Sequence, residues 1–394
     1  MSYKTDNGLL PVGLSDMLAP DAAFEAFILE KLLKDFAEHG YERIAPPLIE
    51  FEDSLLTGIG SGLAKQTFRL MDPESQKMMG VRADMTPQIA RIAESRLSKM
   101  PRPLRLSYAG QVLRVRGTQL RPERQFTQVG VELIGPNEAT ADAEVIILAA
   151  SALDKLGVSD LSIDLGLPKL VKEILSELKE DTKNYFLLRQ ALDRKDANAV
   201  AELSVDLHKD TKTALISLLN ATGPANEALD ALESLSFKGK AEEGRTLLVN
   251  VIDSISTALP NLTLTVDPIE NKGFEYHTGV TFTFFAKGVR GELGNGGRYL
   301  ANKDSNKKNQ EGATGFTLFM DTVLRALPVP TCKNKIYVPI ETSLKKAKSL
   351  RSEGWITVGA LSPEKNSIDE ASRLGCKYVL QNNEIIKIAE ISSK

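Results

Sequence analysis

The sequence has few of the residues that build metal centres or disulfide scaffolds. Its 394 residues include two cysteines, Cys332 and Cys376, and three histidines, His39, His208 and His277. The cysteines are not in a CxxC spacing and the histidines lie far apart, so neither a structural zinc site nor a disulfide framework is expected. Two isolated cysteines are typical of small buried residues in a reducing compartment, and we expect a cytoplasmic protein without a bound metal.

The sequence also lacks a long apolar run and an excess of either charge. Net charge is −3 and the isoelectric point is about 5.9, so no overall basic character points to nucleic acid. The first thirteen residues contain neither a charged start followed by an apolar core nor a segment long enough to span a bilayer. We therefore expect no membrane association.

The periodicity of apolar residues predicts an α+β protein. Helices are predicted over 20–39, 87–98, 139–156 and 315–327, and strands over 67–71, 77–82, 104–115, 125–134 and 161–165, with strand texture returning over 262–285. Residues 41–50 contain Pro46 and Pro47 and predict an extended edge or interface segment. Residues 294–299 are rich in glycine and predict a turn.

Two changes in the pattern of apolar and charged residues divide the chain. Residues 168–257 are helix-rich with charged faces, which indicates a helical insertion within a first domain at 1–330. A Pro-Val-Pro linker ends that domain, and residues 331–394 alternate short apolar strands with basic helices, which predicts a small α/β domain.

The strand at 125–134 has two different faces. With a period of two, Phe126, Gln128, Gly130, Glu132 and Ile134 share one face, whereas the other carries Val129, Val131 and Leu133. The aliphatic face predicts core packing. A buried glutamate is costly unless paired, so the first face either lines a ligand pocket or lies in water.

Two neighbouring segments could contribute to such a pocket. Asp84 and Thr86 precede Pro87, where they could cap a helix start, and Asp84 could alternatively hold an ammonium group. His277 follows Tyr276 in a strand, where a single histidine is more often structural than catalytic. Arg114, Arg116, Arg121 and Arg124 cluster between two strands, as either a solvated hairpin tip or an anion site.

Taken in order, these segments resemble histidyl-tRNA synthetase, a class II synthetase. The matching stretches, from about Val12 to Leu327, are Gly13–Asp16, Gly40–Pro47, Arg82–Thr86, Arg114, Arg124–Glu132, Lys272–His277 and Gly296–Tyr299. The resemblance implies a class II antiparallel sheet flanked by helices. It also implies a histidine site made of Asp84, Thr86, Arg114, Gln128, Glu132, Tyr276 and His277.

Departures from the family pattern fall on the ATP side of the site. Arg116 stands where the synthetases have a glutamate, Lys272 where they have an arginine, and Thr322 where the third motif ends in an arginine. Loss of fixed cations removes stabilisation of a leaving phosphate, so adenylate formation is not expected. The domain after residue 330 is also short for an anticodon-binding domain, and no tRNA partner is expected.

The pattern is closer to a paralogous family, the regulatory subunits of ATP phosphoribosyltransferase, which Glu275–Gly279 also resembles. That resemblance implies a subunit that has neither catalytic residues nor a cofactor. It also implies that the subunit forms a homodimer within a hetero-octamer. The subunit would activate the short-form catalytic subunit and make the first step of histidine biosynthesis sensitive to histidine. Two alternatives remain: a divergent histidyl-tRNA synthetase, and an amino-acid ligase or binding protein on the same fold.

Overall fold

The computed structural model describes residues 9–176, 178, 182–235, 237, 239–270, 276–301, 311–328 and 334–388. The chain forms two compact units that divide after Pro328. The strands of the first unit are β1 (Glu42–Arg43), β2 (Ile49–Phe51), β3 (Phe68–Met71), β4 (Met78–Val81), β5 (Leu104–Leu113), β6 (Gln125–Ile134), β7 (Leu161–Gly166), β8 (Gly223–Pro224), β9 (Thr263–Asp267), β10 (His277–Ala286), β11 (Gly294–Leu300) and β12 (Gly312–Phe319).

The helices of the first unit surround these strands. They are α1 (Asp21–Glu38), α2 (Glu52–Leu55), α3 (Thr86–Ser95), α4 (Ala139–Leu156), α5 (Pro168–Ile174), α6 (Lys183–Asp193), α7 (Ala197–Leu203), α8 (Lys209–Asn220), α9 (Ala225–Glu233), α10 (Lys240–Ala258) and α11 (Met320–Ala326), with a 3-10 turn at Gly58–Leu63. The predicted helices at 20–39, 87–98 and 139–156 are confirmed to within a few residues. Gly40 and Gly157 take positive φ just after α1 and α4, where glycine is favoured.

A mostly antiparallel sheet forms the centre of this unit. In the described part of the chain nine strands follow the order β1-β5-β6-β12-β11-β10-β7-β9-β8. From β5 to β7 in that order each strand is antiparallel to the next, while β1 pairs parallel with β5 at one edge and β9 pairs parallel with β7. A second, three-stranded sheet has the order β2-β4-β3. The predicted extended segment before Glu50 thus provides the edge strand β1 and leads into β2.

Strand β6 separates two apolar clusters, as its alternation predicts. Val129, Val131 and Leu133 pack with α1 and α4 in the larger cluster, whereas Phe126 and Ile134 belong to the smaller cluster beside α3. The polar face is buried as well, because Gln128 and Glu132 are 0% and 1% exposed. The solvent-facing interpretation of this face is therefore wrong.

The described residues between 168 and 257 form the helices α5 to α10 and the two-residue strand β8. Asp267 on β9 connects this region to the sheet, because Lys195 Nζ lies 2.5 Å from its carboxylate. Thr222 Oγ1 donates to the same side chain at 3.5 Å. The helical region is thus bound to the strand that leads into the segment before Tyr276.

Two predictions near the end of the first unit are wrong. Residues 294–299 form the strand β11, and the predicted helix at 315–327 is strand β12 up to Phe319 and helix α11 only from Met320. The glycines here lie where neighbouring side chains leave no room for a Cβ. At Gly296 an added Cβ would come within 2.6 Å of the Phe282 ring. Glycine therefore serves close strand packing here, although its composition predicts a turn.

The second unit is a small α/β structure. It consists of β13 (Lys335–Val338), α12 (Leu344–Ser352), β14 (Ile356–Gly359), α13 (Ser367–Arg373), β15 (Tyr378–Gln381) and β16 (Glu384–Lys387). Strand β13 pairs parallel with β14 and β15, and β16 is antiparallel to β15. The sequence pattern predicts strands at 336–340, 355–361 and 378–381, which β13, β14 and β15 confirm, whereas β16 was not predicted.

Across the described segments of both units, no helix is long and apolar enough to cross a membrane.

Candidate functional site

The centre of the candidate site is the carboxylate of Glu132 on β6. Three hydroxyl groups donate to it: Thr86 at 2.9 Å, Tyr299 at 2.9 Å and Tyr108 at 3.3 Å. Burial raises the pKa of Glu132 to about 8, and hydrogen bonds from Tyr299 and Thr86 oppose this increase only in part. Burial therefore favours the protonated form of this side chain near neutral pH.

Asp84 lies next to this carboxylate, in the turn between β4 and α3. Its Oδ1 accepts from the Thr86 amide at 3.0 Å, at the first residue of α3. The N-cap residue of this helix is Met85 and no side chain caps it, so the prediction that Asp84 or Thr86 caps the helix is wrong. The Thr86 hydroxyl has another role, since it donates to Glu132 and does not cap the helix. Thr86 therefore joins the two carboxyl groups of the site.

Gln128 on β6 holds this turn through two hydrogen bonds. Its amide nitrogen donates to Asp84 Oδ2 at 2.8 Å, and its oxygen accepts from the Met85 amide at 3.0 Å. Because the side chain is fully buried and engaged at both ends, it holds Asp84 in place against β6.

Glycines on adjacent strands give the Glu132 side chain its space. An added Cβ at Gly315 on β12 would lie 2.0 Å from Glu132 Oε2. The gap that Gly130 leaves on β6 is filled by Tyr108, whose hydroxyl would be 2.7 Å from a Cβ there. Gly315 and Gly130 thus leave the space that the side chains of Glu132 and Tyr108 occupy.

Five of the seven predicted histidine-site residues line one small cavity: Asp84, Thr86, Glu132, Tyr276 and His277. The rings of Tyr276 and His277 stack with centroids 4.1 Å apart, and His277 is 4% exposed. Gly297 faces this histidine, where an added Cβ would lie 2.7 Å from the imidazole. Lys272 and Glu275, on which part of the resemblance depends, lie outside the described residues.

The remaining two predicted residues contact Asp84 from outside the cavity. Gln128 does so as described above, and Arg114 Nη2 lies 3.8 Å from Asp84 Oδ2. Arg114 also donates from Nε to the Ala83 carbonyl at 3.3 Å. Burial lowers the pKa of Arg114, and the charge of Asp84 counteracts this effect. Arg114 thus lines a wider cleft of about 840 Å³ that shares Asp84, Thr86 and Tyr276 with the cavity.

The arginine cluster divides among separate partners. Arg121 is 7% exposed and forms an ion pair with Asp321 at 3.1 Å, so a solvated hairpin tip does not describe it. Arg124 donates to the carbonyls of Arg114 and Val12, while Arg116 is exposed. The four guanidinium groups therefore do not converge on one anion.

Thr322 stands where the third motif of the synthetases ends in an arginine. Its hydroxyl accepts a hydrogen bond from Arg121 Nη2 at 3.3 Å. Four acidic side chains are among the described residues that line the cleft, Asp84, Asp164, Glu270 and Glu292, against the arginines 114 and 121. This balance suits a ligand with an ammonium group better than a triphosphate.

Two residues of the site, Tyr108 and Tyr299, were not predicted from the sequence. Their hydroxyls donate to Glu132, and burial beside that carboxyl raises the pKa of both phenols. Tyr108 lies opposite Gly130 in the register of β5 and β6. A large residue facing a glycine across a predicted hairpin is the signal that could have identified it.

The fold and this site agree with one class of protein. A family model for histidyl-tRNA synthetase matches residues 13–323. A histidyl-tRNA synthetase structure from Nostoc sp. PCC 7120 superposes with a TM-score of 0.76 over 97% of each chain at 16% identity, which shows the shared fold. The chain therefore has the class II, histidyl-tRNA synthetase-like architecture predicted from its motifs.

Closer relatives have a narrower description. ATP phosphoribosyltransferase regulatory subunits from Paramagnetospirillum magneticum and Rhodospirillum centenum are 50% and 51% identical, over 98% and 97% of this chain and 100% and 97% of theirs. A structure from Bacillus halodurans, described as an ATP phosphoribosyltransferase regulatory subunit/histidyl-tRNA synthetase, aligns with a TM-score of 0.79 at 26% identity, covering 94% of this chain and 97% of that one. The chain belongs to the family of ATP phosphoribosyltransferase regulatory subunits.

Proposed function

We propose that this chain is a non-catalytic subunit that binds histidine, activates the short-form catalytic subunit of ATP phosphoribosyltransferase and makes it sensitive to histidine. One observation carries the proposal: a small pocket lined by the carboxyl groups of Asp84 and Glu132 lies beside a cleft in which Arg114 and Arg121 are paired with carboxylates of the protein. The names of the relatives support the regulatory role and the kind of enzyme involved.

In the proposed complex the histidine ammonium group lies between Asp84 and Glu132. The imidazole lies toward the stacked pair Tyr276 and His277, while buried Gln128 acts indirectly by holding Asp84 in place. Two carboxylates compensate the ammonium charge, and the cation in turn favours the ionised form of Glu132. Histidine can then shift the complex between active and inhibited states by as much as its affinities for those states differ.

The proposed lack of catalysis is argued from the part of the cleft where a synthetase would bind the phosphates of ATP. Preorganised cations are worth several kcal/mol to phosphate-leaving chemistry in typical sites. Here Thr322 replaces one such cation, and Arg121 is neutralised by Asp321 and Glu292. The remaining cation, Arg114, is paired with Asp84.

The proposal includes the setting of the subunit. We propose a homodimer within a hetero-octamer with the catalytic subunit, located in the cytoplasm. The second unit, from residue 329 onward, is interpreted as a reduced counterpart of an anticodon-binding domain, which agrees with a protein that does not use tRNA.

Calorimetric titration with histidine tests the pocket. Glu132→Gln removes the negative charge but keeps the shape, and we expect histidine affinity to fall at least tenfold, since a hydrogen bond to a charged group contributes about 1.5–3 kcal/mol. Glu144→Gln is the matched control, because Glu144 also accepts from a tyrosine hydroxyl, that of Tyr41 at 2.9 Å, but does not line the cavity. Equal affinities for wild type and Glu132→Gln would contradict the assignment.

The two alternatives predict different results. A divergent synthetase would catalyse histidine-dependent exchange of pyrophosphate into ATP, although exposed Arg116 does not line the cleft on which such a role depends. A ligase or binding protein for another substrate would prefer a different amino acid to histidine in competition titrations. Either result would replace the proposal.

A further inference from the structure

Arg121 is held against two aromatic rings at the end of the cleft. Its guanidinium carbon lies 3.9 Å from the ring centroid of Phe319 and 5.0 Å from that of Phe126. The two rings meet edge to face, with centroids 5.9 Å apart and planes at 83°. Because a guanidinium is flat and stacks on aromatic faces, it covers the surface that a flat heteroaromatic ring would use.

Polar contacts fix the guanidinium in this position. Nε donates to Asp321 at 3.1 Å, and Nη1 lies 3.5 Å from the Glu292 carboxylate. Nη2 donates to the Thr322 hydroxyl and to the Glu292 carbonyl, both at 3.3 Å. A buried cation with two carboxylates and two further acceptors costs far more to move than a solvated one.

The loop that carries Arg121 is attached on the same side. The Arg121 amide donates to the Thr118 hydroxyl at 3.0 Å, and the Thr118 amide donates to the Arg121 carbonyl at 2.6 Å. Arg290 Nη2 donates to the Gln119 carbonyl at 3.1 Å from the turn before β11. The loop and its arginine thus form one bonded group over the aromatic surface.

The loop and Arg121 together cover a surface that would otherwise suit a nucleobase. The cleft is lined by Phe319, Arg114 and Arg121, and an aromatic surface next to a cation is the combination that binds nucleosides and nucleotides. We propose that Arg121 is a specificity-determining residue: it occupies the Phe126–Phe319 surface itself and so excludes purine nucleosides from a cleft that takes an amino acid. The inference deepens the proposed non-catalytic function and rests on it for its biological meaning.

Binding of adenosine tests this proposal, because adenosine is neutral and reports on ring stacking alone. In equilibrium dialysis with the full-length protein, we expect no adenosine binding by wild type at millimolar concentrations. Arg121→Ala uncovers the Phe319 ring, whereas Arg114 still lies 5.1 Å from the centroid of Phe126. The substitution also leaves Asp321 and Glu292 as acceptors for the exocyclic amine, so we expect the affinity to rise about tenfold or more. Methylguanidinium, which replaces the lost group, is expected to compete with adenosine.

Arg124→Ala is the matched control. Arg124 belongs to the same loop but lies over Phe68 and donates to the Val12 carbonyl, so its removal leaves the aromatic surface covered. We expect no adenosine binding by this variant. If Arg121→Ala does not fold, Asp321→Asn keeps the arginine but weakens its anchoring, and a smaller gain in adenosine affinity is expected.

Three outcomes would overturn the inference: wild-type binding as tight as that of Arg121→Ala, a folded Arg121→Ala protein without adenosine binding, or no gain in Asp321→Asn. Histidine titrations of the same samples separate this inference from the proposed function. If wild type did not bind histidine, the pocket assignment would fail, whereas the adenosine comparison would still decide the role of Arg121.

Discussion

At the scale of single residues, the site depends on a carboxyl group that is buried before any ligand arrives. Glu132 is 1% exposed, and three hydroxyl donors satisfy it within the protein. Burial nevertheless raises its pKa to about 8, with Asp84 adding to the increase. The pocket therefore has an unfavourable charged form that a ligand ammonium group would stabilise.

This raised pKa predicts a pH dependence of stability. The folded protein holds the Glu132 proton up to about pH 8, whereas the unfolded chain releases it near the ordinary value of 4.5. The folded state binds more protons in between, so the free energy of unfolding falls as pH rises through that window. Glutamine imitates the protonated form, and its amide can donate to the surrounding hydroxyls.

We therefore expect Glu132→Gln to be more stable than wild type at pH 9, by several kcal/mol at about 1.4 kcal/mol for each unit of pKa difference, and similar to wild type at acidic pH, where Glu132 is neutral. Denaturant unfolding without histidine at both pH values measures the difference. Glu144→Gln should show no such gain at alkaline pH, because the Arg105 hydrogen bond lowers the pKa of Glu144. A stability difference for Glu132→Gln that does not change with pH would contradict the assignment.

Residue types showed part of this site in advance. A glutamate and a glutamine on one face of a strand predicted a face that either lines a pocket or lies in water, and the burial of Gln128 and Glu132 excludes the second alternative. The role of Arg121 was not predictable from the charge cluster, because its partners Glu292 and Asp321 are far away in sequence. Such ion pairs depend on the tertiary fold, which local patterns do not contain.

At the scale of secondary structure elements, predictions based on glycine were correct at helix ends and wrong within strands. Gly40 and Gly157 follow helices and take positive φ, so their local pattern has a local cause. The glycines of β11 and β12 are required by contacts that are distant in sequence, because side chains of neighbouring strands leave no room for a Cβ. Composition alone therefore predicted a turn and a helix where the structure has strands.

Gly315 provides a test at this scale. An added Cβ would lie 2.0 Å from Glu132 Oε2 and 2.4 Å from the Val131 carbonyl, so β12 and the Glu132 side chain would have to move. We expect Gly315→Ala to lower the free energy of unfolding by about 1–3 kcal/mol and to abolish measurable histidine binding. Thermal unfolding and calorimetry measure the two effects.

Gly359→Ala is the control for this substitution. Gly359 also lies in a strand, β14, but an added Cβ there meets no atom within 4 Å. We expect unchanged histidine binding and a stability equal to or slightly above that of wild type, since alanine reduces the conformational entropy of the unfolded chain. Equal effects of the two substitutions would show that Gly315 is not needed for the shape of the pocket.

At the scale of the whole molecule, the ordered motifs predicted the class II architecture, which the solved relatives confirm. The strand order was not predictable in detail, because β6 pairs with β12 and the described chain between them forms the helical region and five further strands of the sheet. A surface for the catalytic subunit was not predictable either, since interfaces as a whole differ little in composition from other surface.

The central claim is that this chain regulates a catalytic subunit in response to histidine. The most direct measurement is phosphoribosyl-ATP formation by the short-form catalytic subunit from the same organism, with and without this protein, over a series of histidine concentrations. We predict that the protein stimulates the reaction and that histidine reverses the stimulation, with Glu132→Gln shifting the reversal to higher histidine concentration. An unchanged rate together with no complex between the two proteins would contradict the account.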